Sequence, residues 1–576
     1  MEKRVLLAVI LSFIVLYGYQ AMFPPRLPEQ RQAPTTPEQQ PGLESPATTS
    51  PAATPEAAPA PEPAPVEALV ADEAERDIIV ENEYVRGVFS SRGAVLKSWR
   101  LKRYGDDEGQ PLELVPANVP AGALRPFALA VDDPAITGRL QRALYRPSAT
   151  DLRVEDESAL EFEYQDGDGL AVRKVFRFSA AEPYVIRFSA EVTHAGQPLV
   201  PAVHWGPALG DGLSEESSFL YSPPAQPIFY RDGDVTRVGV GDVAQYATQE
   251  GAFGFAGVDD HYFISATLPE AQPLQLRYQP LHVPGATPDD RVARFVEWSV
   301  RFPAAPSDAL FFFGPKDFEV LASVDRDFVR AIHFGIFSPI VVPLLRSLNW
   351  IHGYVGNYGW SIIILTAIIN IMMFPLRHKS VVSMRKMQEI QPEVKAIQER
   401  YSKLKVTDPA RSKMNAEMMN LYRERGVNPA SGCVPMLLTL PVLISFYSML
   451  SVAIELRGAP FIGWITDLSR HDPWFITPVL MGATQFVQTK MTPSTADPTQ
   501  QKVMLLMPLM FMAFFLWAPS GLVLYWTVAN MWAIGQQALT NKIIGPMPQR
   551  TVRPPAERKL KNAGGGRTAQ AAKERK

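Results

Sequence analysis

Tyr358 to Leu376 reads YGWSIIILTAIINIMMFPL. The stretch is apolar and long enough to cross a bilayer, yet it carries Asn370 about two turns from its end. Arg377, His378 and Lys379 follow at once. At a helical rise of 1.5 Å per residue, the amide sits about 10 Å inside that basic face. Lipid offers an amide no partner, so a neighbouring helix or water in a cavity must supply one. Two readings stand at this point. One is a wet polar notch in the membrane; the other is a hydrogen bond between helices that serves packing.

The 576 residues are enough for more than one domain, and a net charge of −3 hides a strong asymmetry. Residues 67–320 hold 39 Asp/Glu against 23 Lys/Arg, a net of −16. Residues 377–425 hold 12 Lys/Arg against 6 Asp/Glu, a net of +6, and residues 541–576 hold 10 against 2, a net of +8. Basic loops stay cytoplasmic in a bacterial-type membrane, whereas a long acidic domain can be translocated. Apolar stretches near 433–453, 474–490, 503–517 and 522–539 join 358–376 and an N-terminal stretch, residues 1–23, to make six expected spans. Six crossings that start inside end inside, so both termini and the +6 segment fall in the cytoplasm and the −16 domain outside.

The N-terminal stretch is followed by bulky residues, YGYQAMFPP, with no small-residue cleavage site, so it reads as an uncleaved anchor. Residues 24–66 form a proline-rich periplasmic tether, with 13 prolines in 24–65. Residues 67–322 read as a periplasmic β domain. Tyr184, Ile186, Phe188, Ala190 and Val192 alternate with polar neighbours, as do Val296, Trp298, Val300 and Phe302, which predicts a sandwich of antiparallel strands. Acidic pairs such as Asp132–Asp133 and Glu215–Glu216 read as solvated surface rather than as a site.

An insertion domain is expected over 323–545. Residues 325–350, studded with arginine and proline, predict an amphipathic helix lying in the outer interface. Residues 378–426 predict a cytoplasmic helical hairpin. Met387, Ile390, Val394, Ile397, Tyr401 and Leu404 repeat at alternating threes and fours, Thr407-Asp408-Pro409 mark the turn, and Met414, Met418 and Leu421 line the returning helix up to Gly426. Its basic faces suit anionic lipid headgroups or RNA. A basic cytoplasmic tail, 546–576, closes the chain.

The chemistry on offer is not catalytic. The single cysteine, Cys433, excludes a disulfide framework, and the eight histidines show no metal-ligand spacing. No nucleophile triad or glycine-rich phosphate loop appears in the membrane part, so neither an enzyme nor a cofactor is expected. Polar residues recur inside the apolar stretches instead. Thr366 and Asn370 share a helix face, and Thr439, Gln485, Gln488, Thr527 and Asn530 lie in the others. Of the 19 methionines, 15 fall between 372 and 512, which gives a pliable apolar surface suited to many partners. The run MLLMPLMFMAFFLW, 504–517, predicts a short span, kinked or thinned near Pro508.

These residues resemble a known family. GNYGWSIIILT…MMFPL (356–376), VNPASGCVPMLLTLPVLISFYSML (427–450), ELRGAPF (455–461) and KMTPSTADPTQQKVMLLMPLMFMAFFLWAPSGLVLYWTVAN (490–530) look like the YidC/Oxa/Alb membrane-protein insertases, in the bacterial branch with a large periplasmic domain. The resemblance implies a polytopic helical membrane protein of six spans with a periplasmic β-supersandwich. It also implies a hydrophilic groove open to cytoplasm and lipid, lined by Asn370, Thr366, Thr439, Gln485, Tyr525, Trp526 and Asn530. Nascent membrane proteins would slide along the third and fifth spans, past Leu440, Leu443, Met507 and Phe511. The implied partners are the Sec translocon, the ribosome through the basic tail and hairpin, and anionic lipids, with no small-molecule substrate. The family most often has arginine where this chain has Asn370; asparagine offers only hydrogen bonds, which weighs against charge-pair recruitment here but not against the groove itself.

A secondary transporter or channel is the alternative class; it calls for internal repeats and acidic residues at mid-membrane, and neither is visible. A periplasmic carbohydrate enzyme on a membrane anchor would leave the C-terminal apolar stretches unexplained.

Overall fold

The computed structural model describes residues 67–106, 108–117, 119–120, 122–207, 209, 224–269, 272–283, 293–401, 410–427, 434–492 and 498–544. The anchor, tether and tail expected from the sequence, together with Glu215–Glu216 and the turn at 407–409, lie outside the described residues. The chain divides into two compact units, one ending at Ile332 and the other beginning at His333.

The first unit is a β-sandwich. Its largest sheet has eleven strands. The central path runs Glu157–Asp166, Leu170–Ser179, Glu182–His194, Ser307–Pro315, Phe263–Leu268 and Phe255–Asp259. Two five-stranded sheets cover one face of it. From one, Trp205 stacks on Phe311 at 5.6 Å; from the other, Phe89 lies 4.8 Å from Phe176 and Trp99 stacks on Phe313 at 6.2 Å. Every described strand pair is antiparallel except Asp77–Glu81 with Asp151–Arg153. The period-two reading holds in both test strands: Tyr184, Ile186, Phe188, Ala190 and Val192 are buried, as are Val296, Trp298, Val300 and Phe302. Alternation produces this because successive side chains leave a strand on opposite faces.

One buried residue breaks the apolar pattern. Lys174 is wholly enclosed, and its Nζ donates to the carbonyls of Gly93 (2.7 Å), Ala94 (3.1 Å) and Phe127 (2.9 Å). Three ammonium protons meet three acceptors, which answers the cost of burying them. The acidic pair at 132–133 also has structural work. Asp133 caps the helix Pro134–Arg142 by accepting from Ala135 and Ile136 N–H, and Asp132 pairs with Arg301 at 2.7 Å.

The second unit is helical: α1 (Ser338–Val355), α2 (Tyr358–Arg400), α3 (Ala410–Glu424), α4 (Val434–Val452), α5 (Ile476–Met491), α6 (Pro498–Phe514) and α7 (Ser520–Ile544). Among the described residues, α2 is long and apolar enough to cross a membrane; Pro441–Val452 and Gln501–Trp517 are shorter apolar helices.

Two expectations need correction. The predicted amphipathic helix over 325–350 starts only at Ser338 and runs to Val355. Ahead of it, the Asp325 side chain accepts from Asp327 and Phe328 N–H, a local turn that competes with a helix, and Gly335 takes a left-handed φ of +70°. Pro339 then fits the first turn, where no donor is needed. The helix is amphipathic as expected: Val341, Leu345, Leu348 and Ile351 are buried, while Trp350 and Tyr354 are exposed.

The second correction concerns α2, which does not end near Leu376. It continues unbroken to Arg400, 43 residues in all, with Pro375 and Pro392 inside it. The change from apolar to basic residues at 377 does not interrupt the backbone, because Arg, Lys, Met and Gln are good helix formers. Part of the predicted seam is packed: Ile390 and Val394 are buried with Val427, against Met387, Met418 and Leu421, while Leu404 lies outside the described residues. Behind α3, Gly426 turns left-handed (φ +60°) and Val427 N–H donates to Tyr422 O at 2.9 Å, closing that helix.

Candidate functional site

The α2 N-terminus is anchored first. Asn357 accepts from Trp360 N–H at 3.1 Å, and its Nδ2 donates to the carbonyls of Pro460 and Phe461, both at 3.1 Å. Gly359 lies so close to Phe461 that a Cβ there would fall 2.0 Å from the ring. The next turns are dry. Ile362 and Leu365 on α2, Phe446 and Met449 on α4, and Leu522 and Val523 on α7 are all buried. The Phe446 and Tyr525 rings stack at 4.3 Å, nearly parallel.

From Thr366 onward the wall turns polar. A cavity of about 560 Å³ opens between α2, α4, α5 and α7 and follows α2 as far as Met384. The 18 helical steps from Thr366 to Met384 make this wall roughly 27 Å long. Its polar groups form a chain along one face of α2. Thr366 Oγ1 donates to Ile362 O at 2.6 Å, Asn370 Nδ2 donates to Thr366 O at 2.7 Å, and Arg377 Nη1 donates to Asn370 Oδ1 at 2.7 Å. The Asn370 amide is thus engaged at both ends inside its own helix, and the hydrogen bond between helices that would have made it a packing residue is absent among the described residues.

The opposite wall is amide-rich. Asn530 Nδ2 lies 3.4 Å from both Met481 O and Thr484 Oγ1, and Gln536 Nε2 lies 3.4 Å from Phe374 O. Among the described residues, Gln485 Oε1 and Gln536 Oε1 are buried with no hydrogen-bond partner. Buried acceptors are rarely left so, and both belong to cavity-lining residues. The unsatisfied oxygens call for water or a polar guest in the cavity.

Thr366, Asn370, Gln485, Tyr525, Trp526 and Asn530 all line this one cavity, and Leu443 joins them. Thr439 and Leu440 lie on α4 where side chains are outside the described residues. Met507 and Phe511 do not line it. They sit on α6, which exposes Met504, Leu506, Met507 and Leu509. Phe511 nevertheless meets Trp526, 6.1 Å between ring centroids, so the cavity wall and the apolar face share one indole. The helices carrying them approach closely: a Cβ on Gly482 of α5 would fall 2.8 Å from Met512 of α6.

The sequence reading missed Arg377 and Gln536. Arg377 had been counted with the basic flank, although seven residues from Asn370 is close to two full turns and therefore the same face. That spacing was the available signal.

Comparison with known proteins bears on the whole chain. A family model described as 60Kd inner membrane protein matches residues 350–547, and one described as YidC periplasmic domain matches 77–347. The membrane protein insertase YidC of Geobacter metallireducens is 36% identical over 555 residues, covering 94% of this chain and 99% of that one. The chain belongs to the YidC family. The YidC of Geotalea daltonii is 34% identical over 572 residues, with the same coverage. Among solved structures, an active YidC insertase with its first transmembrane domain resolved overlaps 82% of this chain and 94% of its own, at 18% identity and a TM-score of 0.33.

Proposed function

We propose that this chain inserts membrane proteins into the bilayer and helps them fold, working without bond chemistry. The observation that carries the reading is the cavity: amides and hydroxyls set among apolar side chains, closed by buried apolar side chains toward the α2 N-terminus and continuing along α2 toward its basic segment. The names borne by the relatives agree with it. Each unsatisfied polar group drawn into hydrocarbon costs on the order of several kcal/mol, and water held among Asn370, Gln485, Asn530 and Gln536 offsets part of that for a hydrophilic segment. The apolar part of the same guest moves past Leu440, Leu443, Met507 and Phe511 into lipid. Thr439 completes the groove on the α4 side.

In this reading the chain crosses the inner membrane six times, with both termini and the α2–α3 hairpin in the cytoplasm. Residues 1–23 are the anchor, 24–66 the tether, 67–322 the periplasmic domain, 323–545 the insertion domain and 546–576 the tail. The asymmetry of −16 against +6 and +8 supports this orientation. Exposed Trp350, Tyr354 and Trp474 suit the outer headgroup layer. In this reading the basic hairpin and tail meet ribosomes and anionic lipids, and the periplasmic domain meets the Sec translocon.

The test is reconstitution. Proteoliposomes containing the full chain should insert a small single-span protein that protein-free vesicles leave exposed to protease. Equal protection in both refutes the reading, and solute flux through the proteoliposomes would favour a transporter.

A further inference from the structure

We infer that the seam between α2 and α7, on the side turned away from the cavity, binds one anionic phospholipid of the inner leaflet, with Lys379 and Lys542 at its phosphate. This rests on the membrane-spanning reading above and not on the insertion activity. Two contacts fix how the helices lie. Gln536 Nε2 lies 3.4 Å from Phe374 O, and His378 Nδ1 lies 3.4 Å from Thr540 Oγ1. Both pairs are 162 positions apart, so the two helices run parallel and in step here. Phe374 and His378 therefore face α7. At about 100° of turn per residue, Thr366, Asn370 and Arg377 lie to one side of that contact, in the cavity wall, and Ile368, Ile371 and Pro375 lie to the other. On α7, Trp526, Asn530 and Gln537 face the cavity, while Gly535 and Leu539 turn away from it. All five residues on the far side are exposed.

An exposed apolar stripe on each helix thus flanks the seam and ends at a lysine. The offset of 162 sets Lys379 level with Asn541, and Lys542 stands one rise further along, about 1.5 Å. Both lysines are exposed, and among the described residues neither makes an ion pair or a side-chain hydrogen bond. Their neighbours are committed: His378 to Thr540, and Arg385 to Asn541 Oδ1. No carboxylate competes, since α2 has none before Glu389 and α7 has none at all. Packed helices lie about 8–10 Å apart, and two flexible four-carbon stems can close on one phosphate across that gap. The 11 helical steps from Ile368 to Lys379 span about 16 Å, close to half of a ~30 Å hydrocarbon core. The stripe therefore fits the acyl chain of one leaflet, beneath a headgroup held by cations at the cytoplasmic end of two spans.

The test is native mass spectrometry of the full chain in detergent, titrated with phosphatidylglycerol or phosphatidylethanolamine. The wild type should retain one phosphatidylglycerol and hold it about tenfold more tightly than phosphatidylethanolamine. Lys379→Gln/Lys542→Gln should erase that preference, and Lys379→Arg/Lys542→Arg should keep it. Glycerol 3-phosphate, a headgroup without chains, should not displace the lipid. A photoreactive acyl chain should label α2 at Ile371 and spare the cavity wall at Ala529. Equal retention of the two lipids, a preference blind to both lysines, displacement by glycerol 3-phosphate, or labelling confined to the cavity or the basic hairpin overturns the site and leaves the membrane-spanning reading intact. Release of the full chain from membranes by alkaline carbonate refutes that reading and the site together.

Discussion

Gly359→Ala is expected to unlock the closed end of the cavity. The new Cβ would fall 2.0 Å from Phe461 Cδ2 and 2.4 Å from Cγ. Carbon atoms rest at about 3.5 Å, so the ring must retreat by roughly 1.5 Å. It is not free to do so cheaply. Phe461 N–H donates to Ile465 O at 3.0 Å, its carbonyl accepts from Asn357 Nδ2 at 3.1 Å, and its ring lies against Trp360 at 5.7 Å. Overpacking of this kind costs about 1–3 kcal/mol. Alanine's better helix propensity returns up to about 1 kcal/mol, less in a first turn. The net loss of about 1–2 kcal/mol should lower Tm by roughly 2–8 °C for a unit of this size. The assay is thermal unfolding of the full chain in detergent, followed by tryptophan fluorescence. The diagnostic step repeats the substitution in a Phe461→Ala background, where the clash is gone and Gly359→Ala should be neutral or stabilising. Equal destabilisation in both backgrounds refutes the reasoning, because the two residues would then be uncoupled.

Two further outcomes follow from the same geometry. Lys174→Met should orphan the carbonyls of Gly93, Ala94 and Phe127 and cost the β-sandwich about 2–4 kcal/mol near neutral pH, read by urea-dependent proteolysis. Burial pushes the Lys174 ammonium down to about 7 from 10.5, so the unfolded chain binds the extra proton between those values. Wild-type stability should therefore rise relative to the Met variant as pH climbs above 7, by at most about 1.4 kcal/mol per unit; a pH-independent gap would count against it. Asp472→Asn should destabilise the start of α5. Burial opposes ionisation there, but N–H groups of Thr477 and Trp474 and the Trp464 indole donate to the carboxylate and hold its pKa below the ordinary range. A depressed carboxyl stabilises the fold above the unfolded value, about 4, and loses that contribution as pH falls through the folded one. Acid titration of the stacked Trp464–Trp474 pair should thus give a transition below pH 4 in the wild type, absent in the Asn variant.

Much of this architecture was legible from residue order because it depends on period. The alternation in 184–192 and 296–302 and the seam at 390, 394 and 397 are local signals that packing follows. The errors share a different cause. Composition changes at Arg377, but backbone hydrogen bonding does not, so α2 ran past the expected boundary. The start of α1 was decided by Asp325 and Gly335 turning the chain, a three-dimensional choice that arginine and proline counts did not reveal. At the cavity, six of the seven expected polar residues converge, since amides inside apolar stretches have few other places to go. Which way a long cation turns depends on what stands one or two turns behind it, and Asn370 decided that for Arg377.

The absence of a break in α2 has a mechanical meaning. Helical structure continues through Pro375 and Pro392 from the Asn357 anchor to Arg400, a path of roughly 65 Å along the helix. A tilt of about 10° about that anchor would carry the far tip through roughly 11 Å but move the amide at 370 by only about 3 Å. A displacement of the Arg400 end is thus stepped down to a fine adjustment where Asn370 meets the chamber wall.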